Sequence, residues 1–174
     1  AAGHSVLLVE RHDLAHGTSS RSSKLIHGGL RYLETGQLRL VRESLMERQL
    51  LLRLAPELVR LRPFFVPVYA TTRRRPWQLW AGLSLYAALG SLAPATRFGT
   101  LPRRQWGRLD GLEQDGLQQV FRYFDAQTDD ARLTRAVTAS AVRLGAELAL
   151  HTEFVEADVA ADGRTAVELF KKKP

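Results

Sequence analysis

The 174-residue sequence contains no cysteine, which excludes disulfides, thiolate zinc sites and a cysteine nucleophile. Lysine is also scarce, because 21 of the 25 basic residues are arginine. These arginines are scattered over several segments, and no nucleic-acid-binding motif accompanies them. We therefore expect no nucleic acid among the partners, despite a formal net charge of +7.

Long apolar runs are missing as well. The longest apolar window, around residues 77–93, is interrupted by glutamine, glycine and serine, and is shorter and more polar than a bilayer span requires. No membrane-spanning helix and no secretory signal are therefore expected. What is present is a composition of 45% hydrophobic and 25% charged residues, which is typical of a globular chain with a core.

Short apolar runs alternate with helical patterns, which predicts an α/β or α+β fold. The run at 5–9 predicts a buried parallel strand, and apolar positions at helical spacing, among them Leu38, Val41, Leu45 and Leu52, predict a core-facing helix over 36–54. Further along we predict an edge strand or irregular extended segment at 63–72 and a helix from Pro76 to near Gly90. A strand at 120–125 and a helix at about 130–144, capped by Asp129, are expected next. The remaining predicted strands are 146–151, 153–160 and 165–170, and an Asp162-Gly163 turn joins the last two.

The first predicted strand ends in Glu10. In dinucleotide-binding units an acid at the end of the second strand binds the ribose hydroxyls, and a glycine-rich phosphate turn lies about 20 residues earlier. Only nine residues precede Glu10, so the glycine fingerprint is missing from this sequence. By itself, an apolar strand followed by an acid indicates a cofactor site only weakly.

The loop that follows reads TSSRSSKLIHGGLRYLE over residues 18–34. Its hydroxyls and backbone N–H groups could surround a pyrophosphate, and Gly28-Gly29 would let the backbone pass close to a flat ring. The alternative is a flexible surface loop, in which serine and glycine only turn the chain. Composition alone favours the surface loop.

Three chemically active side chains stand together at the end of this loop. Arg31 offers a planar fork for phosphate or carboxylate, Tyr32 offers a hydroxyl, and His27 can move a proton near neutral pH. A surface salt bridge and a packing ring near a helix start would explain the same residues. Both interpretations remain open at this point.

Two polar clusters have simpler explanations. His12 and His16 stand four apart, but no third ligand is near and the segment does not have a helical pattern, so no metal site is expected. Asp125, Asp129 and Asp130 could be ligands or acid-base groups. Because a helix N-terminus attracts carboxylates, we favour capping for this acidic cluster.

An aromatic stripe follows Arg73–Arg75 and consists of Trp77, Trp80, Leu83 and Tyr86. Aromatic residues on one face with arginines at the entry are typical of an interfacial helix on anionic lipid. Packing against the rest of the protein explains the same pattern, and we favour packing.

Two segments resemble the FAD-dependent glycerol-3-phosphate dehydrogenases of the D-amino-acid-oxidase-like flavoprotein superfamily: VLLVERHDLAHGTSSRSSKLIHGGLRYLE and, downstream, YFDAQTDDARL. The resemblance runs from residue 1 to about 160. It implies an α/β fold, namely a partial Rossmann-like FAD-binding domain with part of a mixed or antiparallel substrate-domain sheet. The implied divisions are residues 1–62 for the partial FAD-binding domain, 63–128 for a substrate-domain or cap insertion whose helix could face a membrane, and 129–174 for the return helix and β-hairpin of the FAD-binding domain.

The resemblance also implies an activity. That family oxidises sn-glycerol 3-phosphate at C2 to dihydroxyacetone phosphate by hydride transfer to FAD. Electrons then pass to the membrane quinone pool, whereas close relatives pass them to oxygen. The implied location is cytoplasmic and peripheral on an anionic membrane face, and a homodimer is expected. The alternatives are a non-catalytic fragment or interaction module, and a flavin oxidase acting on glycerol 3-phosphate with oxygen or on an amine or 2-hydroxy acid.

The family's site residues map onto the first 32 positions of this sequence. His27, Arg31 and Tyr32 are implied to face the substrate, with Arg31 as the partner of its phosphate. His27 is a candidate base on chemical grounds alone. For FAD, the implied contacts are Glu10 at the adenosine ribose, Thr18, Ser19 and Ser20 along the pyrophosphate, and Ser23, Lys24, Leu25, Ile26 and Gly28 near the isoalloxazine. Arg11 is expected to be a further cofactor-binding residue.

The family's first strand and its GxGxxG turn are expected to precede Ala1, and its second half to follow Pro174. The resemblance therefore predicts an internal fragment of a longer protein. Without the helix N-terminus that holds the pyrophosphate, such a chain is expected to bind FAD weakly or not at all.

Overall fold

The computed structural model of the chain describes residues 3–161 and 165–171. It has mixed α/β structure, with a parallel strand pair and antiparallel sheets, as the sequence predicts. The elements in chain order are β1 (Leu7–Val9), β2 (Leu25–Ile26), α1 (Leu38–Leu54), β3 (Val59–Tyr69), α2 (Pro76–Leu89), β4 (Gly99–Thr100), β5 (Leu117–Thr128), α3 (Asp130–Arg143), β6 (Glu147–Ala149), β7 (Thr152–Val159) and β8 (Thr165–Lys171).

The chain divides into two compact units. The first unit comprises residues 1–24 and 129–174, and the second unit comprises residues 25–128. Residues 25–62, which the sequence assigns to the FAD-binding segment, thus lie in the second unit. The functional domain limits given above stay a prediction.

In the first unit, β1 pairs with β6 in parallel, and β7 pairs with β8 in antiparallel orientation. The parallel pairing of β1 is as predicted, but its predicted burial is wrong, because Leu7 and Leu8 are 50% and 41% exposed. Among residues 3–161 and 165–171, β1 pairs with β6 alone, so the wide parallel sheet with covered faces in which such apolar runs are usually buried does not form around it. The predicted 162–163 turn lies outside the described residues.

Helix α3 of the first unit begins where the sequence predicts. The Oδ1 atom of Asp129 accepts a hydrogen bond from the backbone N of Arg132 at 3.0 Å. This side chain satisfies one of the free N–H groups of the first helical turn. The capping role predicted for Asp129 is therefore confirmed.

In the second unit, the long strand β5 pairs with β2, β3 and β4, all in antiparallel orientation. Strand β3 runs along β5 from the pair Val59–Thr128 to the pair Tyr69–Leu117 and lies at the sheet edge. Proline has no N–H to donate, so a strand containing Pro63 and Pro67 is suited to an edge. The predicted edge strand is confirmed and begins four residues earlier than expected.

The core of the second unit forms between its helices and this sheet. Val41 and Leu45 of α1 pack on Tyr86 of α2, which confirms α1 as a core-facing helix. The neighbouring cluster contains Leu83 of α2 and two residues of the sheet, Val68 and Phe121. One charged residue, Arg48, is also fully buried on the inner face of α1.

The aromatic stripe of α2 is divided between core and surface. Leu83 and Tyr86 are buried, as the packing interpretation predicts, but Trp77 and Trp80 are 70% and 57% exposed. Trp80 makes an edge-on contact with Phe98, with ring centroids 6.3 Å apart. Within the part of the chain that the structure describes, no helix has the length and apolar character needed to cross a membrane.

Candidate functional site

A groove of about 600 Å³ in the first unit lies at the end of β1 and is called the first-unit groove. Glu10 lines this groove, and its Oε1 atom accepts a hydrogen bond from the backbone N of His12 at 2.8 Å. This bond fixes the carboxylate at the carboxyl end of the parallel strand. The remaining lining residues are Leu8, Val9, Leu14, Ala15, His16, Gly17, Thr18, Ser19, Leu133, Thr134, Val137 and Thr138.

The predicted pyrophosphate residues form a short 3₁₀ turn, Thr18–Ser20. Thr18 and Ser19 are exposed and line the groove, whereas the Ser20 hydroxyl donates to the carbonyl of Gly17 at 3.0 Å. Arg11 is directed elsewhere: its guanidinium lies 3.2 Å from the Glu153 carboxylate. The structure therefore brings Glu10, Thr18 and Ser19 together at the groove and pairs Arg11 with Glu153.

The two neighbouring histidines of this segment stack on one another. The rings of His12 and His16 have centroids 4.4 Å apart. No group of three or more histidine, aspartate or glutamate side chains is placed to hold a metal ion within the described ranges 3–161 and 165–171.

Lys24, predicted to lie near the isoalloxazine, ties the loop to the start of α3. Its Nζ atom donates to the carbonyl of Ser20 at 2.8 Å and to Oδ1 of Asp130, while the Ser22 hydroxyl donates to Oδ2 of Asp130 at 2.6 Å. Lys24 adopts φ 61°, a left-handed conformation that is uncommon for a residue with a side chain. These bonds hold Lys24 in that conformation.

The same bonds set the charge state of Asp130. The Lys24 ammonium, followed by the Ser22 hydroxyl, lowers the pKa of Asp130 from 3.8 to about 2. Because the pKa of Asp130 is lowered on folding, the ionised carboxylate stabilises the folded chain. This contribution to the free energy of unfolding is complete above pH 3.8 and is lost as the pH falls towards 2. Ser22 and Lys24 therefore remain bound to the Asp130 carboxylate at all pH values near neutrality.

A second cavity, of about 650 Å³, lies within the second unit and is called the second-unit cavity. It brings together the three residues predicted to face a substrate, His27, Arg31 and Tyr32. The chain reaches this position because β2 pairs with β5, after which Gly29, at φ 77°, turns the backbone into the 3₁₀ turn Leu30–Leu33. The other lining residues are Gly29, Leu30, Thr35, Tyr123 and Asp125.

Beneath this cavity lies a buried arginine, Arg48, that makes four hydrogen bonds. Its Nη1 atom donates to Oδ1 of Asp125 at 2.7 Å, to the Tyr86 hydroxyl at 3.1 Å and to the Phe124 carbonyl at 3.1 Å. Its Nη2 atom donates to the Ala95 carbonyl at 3.0 Å. The Arg48 side chain is 0% exposed and the Asp125 side chain 5% exposed, so this is a buried ion pair.

The carboxylate of Asp125 also connects Arg48 to the cavity. Its Oδ1 atom accepts from the backbone N of Gly28 at 3.2 Å and of Ala126 at 3.1 Å. Its Oδ2 atom lies 3.2 Å from Nδ1 of His27. The capping role predicted for Asp125 is wrong, because this residue lies inside β5, where it is buried and pairs with Arg48 of α1.

Two phenols flank the ion pair. Burial raises the pKa of Tyr86 well above its usual range, and burial followed by the charge of Asp125 raises the pKa of Tyr123. Both side chains therefore stay protonated at neutral pH. Tyr123 presents a neutral hydroxyl-bearing ring to the second-unit cavity.

Gly28 is held in place by packing. A Cβ atom at this position would lie 1.8 Å from the Tyr86 hydroxyl oxygen and 2.6 Å from Cδ2 of Leu45. Only glycine fits here without displacement of these side chains. The close approach to a flavin ring predicted for Gly28, like the corresponding roles of Leu25 and Ile26 in β2, stays a prediction.

Sequence reasoning missed Arg48. It lies between Leu45 and Leu52 on the stripe that predicts the inner face of α1, and a charged residue on an apolar stripe is a signal for a buried ion pair. Its partner could not be found in the same way, because Asp125 is 77 residues away in the sequence.

A parallel strand ending in a fixed carboxylate and a separate polar cavity are features expected of a nucleotide-cofactor oxidoreductase. The sequence matches the profile described as FAD dependent oxidoreductase over residues 1–172, and the chain belongs to this family. The resemblance drawn from the sequence is thereby confirmed.

Particular relatives give the comparison more detail. The chain is 45% identical over 155 residues to the glycerol-3-phosphate dehydrogenase of Mycobacterium leprae, with 88% of this chain and 26% of that protein covered. It is 42% identical over 157 residues to the D-erythritol 1-phosphate dehydrogenase of Brucella abortus, with 89% and 30% covered. The chain thus spans between a quarter and a third of the length of these curated relatives.

Among solved structures, the fold is similar to that of FAD-bound L-alpha-glycerophosphate oxidase from Mycoplasma pneumoniae. The TM-score is 0.68 at 17% identity, with 96% of this chain and 44% of that chain covered. This similarity supports the partial Rossmann-like FAD-binding fold predicted from the sequence.

The residues of the first-unit groove fit the adenosine and pyrophosphate part of FAD. Glu10 places a carboxylate where ribose hydroxyls could donate, and Thr18 and Ser19 add hydroxyl donors. Apolar side chains, among them Leu8 and Val137, supply walls for a flat ring. The chemistry of this donor set agrees with the cofactor named by the family.

Proposed function

We propose that the protein of which this chain is a part oxidises sn-glycerol 3-phosphate at C2 to dihydroxyacetone phosphate with FAD as its cofactor. The observation that carries the proposal is the second-unit cavity, in which His27, Arg31 and Tyr32 line one space. The named relatives support this substrate class, because both are called dehydrogenases of a polyol phosphate.

The cofactor would be held by groups of the first-unit groove. The Glu10 carboxylate would accept hydrogen bonds from the ribose, and Thr18, Ser19 and Ser20 would lie along the pyrophosphate. When bound, FAD supplies the hydride acceptor for an alcohol carbon. The positions proposed for Ser23, Lys24, Leu25, Ile26 and Gly28 beside the ring remain predictions from the resemblance, as does the role of Arg11.

The substrate would be held by groups of the second-unit cavity. The planar fork of Arg31 can donate two parallel hydrogen bonds to phosphate oxygens. The Tyr32 hydroxyl can orient a neighbouring oxygen, and His27 can take the proton of a hydroxyl group. Arg31 and His27 are both exposed towards solvent, which leaves room for a small polar ligand.

Replacing Arg31 with alanine is expected to weaken binding of glycerol 3-phosphate about 10- to 100-fold, because a hydrogen bond to a charged group contributes about 1.5–3 kcal/mol. The measurement is an NMR titration of the 174-residue chain with glycerol 3-phosphate. Arg39→Ala is the matched control, because Arg39 pairs with Glu43 on the surface of the same unit.

Unchanged affinity of Arg31→Ala for glycerol 3-phosphate would show that the phosphate-binding role is wrong. Parallel titrations with glycerol and with inorganic phosphate separate recognition of the polyol from recognition of the phosphate. Tighter binding of an amine or of a 2-hydroxy acid would instead favour the alternative substrate class.

A peripheral membrane location is a further part of the proposal. Trp77 and Trp80 are exposed at the start of α2, next to exposed Arg73 and Arg75. We expect the chain to sediment with vesicles that contain anionic lipid, and Trp77→Ala with Trp80→Ala to reduce the bound fraction. Vesicles of neutral phosphatidylcholine are the control. Binding that does not depend on lipid charge would contradict this part of the proposal.

The electron acceptor and the setting of the reaction follow from the resemblance alone. Quinone as acceptor, a cytoplasmic location and a homodimer stay predictions. Oxygen consumption by the whole protein in the presence of glycerol 3-phosphate would favour the oxidase alternative, and absence of any oxidation of glycerol 3-phosphate by the whole protein would favour the non-catalytic alternative.

A further inference from the structure

The histidine of the second-unit cavity lies against a carboxylate that is itself fixed from behind. Asp125 faces His27 through Oδ2, at 3.2 Å from Nδ1, and faces Arg48 through Oδ1 at 2.7 Å. Arg48 is fully buried and lies with its Cζ atom 5.8 Å from the centroid of the Tyr86 ring. Contacts thus connect the buried Arg48 through Asp125 to His27 in the wall of the second-unit cavity.

The donors around Asp125 decide which nitrogen of His27 carries hydrogen. An arginine side chain is protonated in proteins, and a buried guanidinium requires a carboxylate as its counter-ion. An ionised carboxylate can only accept hydrogen bonds. In the contact between Oδ2 of Asp125 and Nδ1 of His27, Nδ1 is therefore the donor, and in the neutral ring the basic nitrogen is Nε2.

We propose that Asp125, held by Arg48, is a positioning residue that keeps His27 in its Nδ1–H tautomer, so that Nε2 takes the proton of the substrate hydroxyl. The part concerning the substrate rests on the proposed function. The proton leaves the hydroxyl oxygen and binds Nε2, and the resulting imidazolium is stabilised by the negative charge of Asp125. A carboxylate that orients a histidine base has the same role in hydrolytic triads.

The substitution Asp125→Asn tests the inference, because the environment of Asp125 fixes the orientation of the new amide. Three donors surround Oδ1: Nη1 of Arg48 and the backbone N–H groups of Gly28 and Ala126. The amide oxygen must face these donors, so the amide NH₂ group faces His27. Nδ1 must then accept, and hydrogen is forced onto Nε2.

The experiment is ¹⁵N NMR of the imidazoles in the 174-residue chain, at alkaline pH, with His27→Gln to assign the His27 signals. The expected result is an Nδ1–H ring in the unsubstituted protein and an Nε2–H ring in Asp125→Asn. Asp129→Asn is the control, since it changes a helix-capping carboxylate of the first unit and should leave the His27 tautomer unchanged.

Two results would overturn the proposal. The first is an Nε2–H ring in the unsubstituted protein, which is decisive even where Asp125→Asn does not fold. The second is an unchanged tautomer in a folded Asp125→Asn protein. Arg31→Ala should leave the tautomer unchanged while it weakens glycerol 3-phosphate binding. If the unsubstituted protein binds glycerol 3-phosphate but lacks the Nδ1–H ring of His27, the positioning role of Asp125 is wrong. If it has the Nδ1–H ring but Arg31→Ala leaves the affinity for glycerol 3-phosphate unchanged, the proposed phosphate-binding role of Arg31 is wrong.

Discussion

Replacing Arg48 with methionine is expected to lower the free energy of unfolding by about 3–5 kcal/mol, which is the usual effect of removing one partner from a buried ion pair. Methionine preserves much of the apolar bulk but leaves the Asp125 carboxylate, 5% exposed, without its counter-ion. It also leaves the Tyr86 hydroxyl and the carbonyls of Phe124 and Ala95 without their donor. Urea denaturation followed by circular dichroism measures the change.

The matched control for Arg48→Met is Arg42→Met, on the exposed face of the same helix. A surface substitution away from special features changes stability by about 0.5 kcal/mol or less. The double variant Arg48→Met with Asp125→Asn should recover part of the loss, because it removes the unpaired charge. Equal effects of Arg48→Met and Arg42→Met would contradict the assignment of Arg48 to a buried ion pair.

Local patterns were sufficient for most elements of this fold. The helical spacing of Val41 and Leu45 predicts the inner face of α1, the prolines of β3 predict an edge strand, and Asp129 predicts the start of α3. Each of these predictions depends on residues that are neighbours in the sequence. The backbone geometry that they favour does not require knowledge of a distant partner.

Burial and pairing over long sequence distances could not be predicted in this way. The apolar run at 5–9 has the composition of a buried strand, but hydropathy does not state which element covers a face, and Leu7 is half exposed. Asp125 stands four residues before a genuine cap, and its neighbours in the sequence predict the same role for it. Its true partners, Arg48 and His27, are 77 and 98 residues away in the sequence.

The candidate site shows the same division. Composition alone is compatible with two interpretations of Arg31 and Tyr32, namely surface residues and substrate-binding residues. Only the resemblance to a known family favours substrate binding. The structure adds what the motif does not contain, namely Tyr123 and Asp125 from β5 in the wall of the same cavity. The loop motif supplies the side chains at the front of the site, and the antiparallel pairing of β2 with β5 brings the supporting side chains behind them.

Gly28→Ala is the second substitution for which a large effect is expected. Its new Cβ atom would overlap the Tyr86 hydroxyl oxygen at 1.8 Å and Cδ2 of Leu45 at 2.6 Å, both in the core of the second unit. Overpacking of this kind costs about 1–3 kcal/mol. Movement of Gly28 or Tyr86 would also disturb the hydrogen bonds that each makes to the ion pair of Arg48 and Asp125. The free energy of unfolding from urea denaturation is the measurement.

Gly82→Ala is the matched control for Gly28→Ala, because a Cβ atom at Gly82 meets no atom within 4 Å and the residue lies inside α2. There alanine should stabilise the helix by up to about 1 kcal/mol, so the two glycine substitutions are expected to have opposite signs. Adding Tyr86→Phe to Gly28→Ala removes the atom nearest to the new Cβ and should make the double variant more stable than the sum of the single effects predicts. If Gly28→Ala were as harmless as Gly82→Ala, the close packing of Gly28 on Tyr86 would be wrong. Packing of Gly28 would then not explain how its backbone N–H is held against Asp125, the residue that contacts His27.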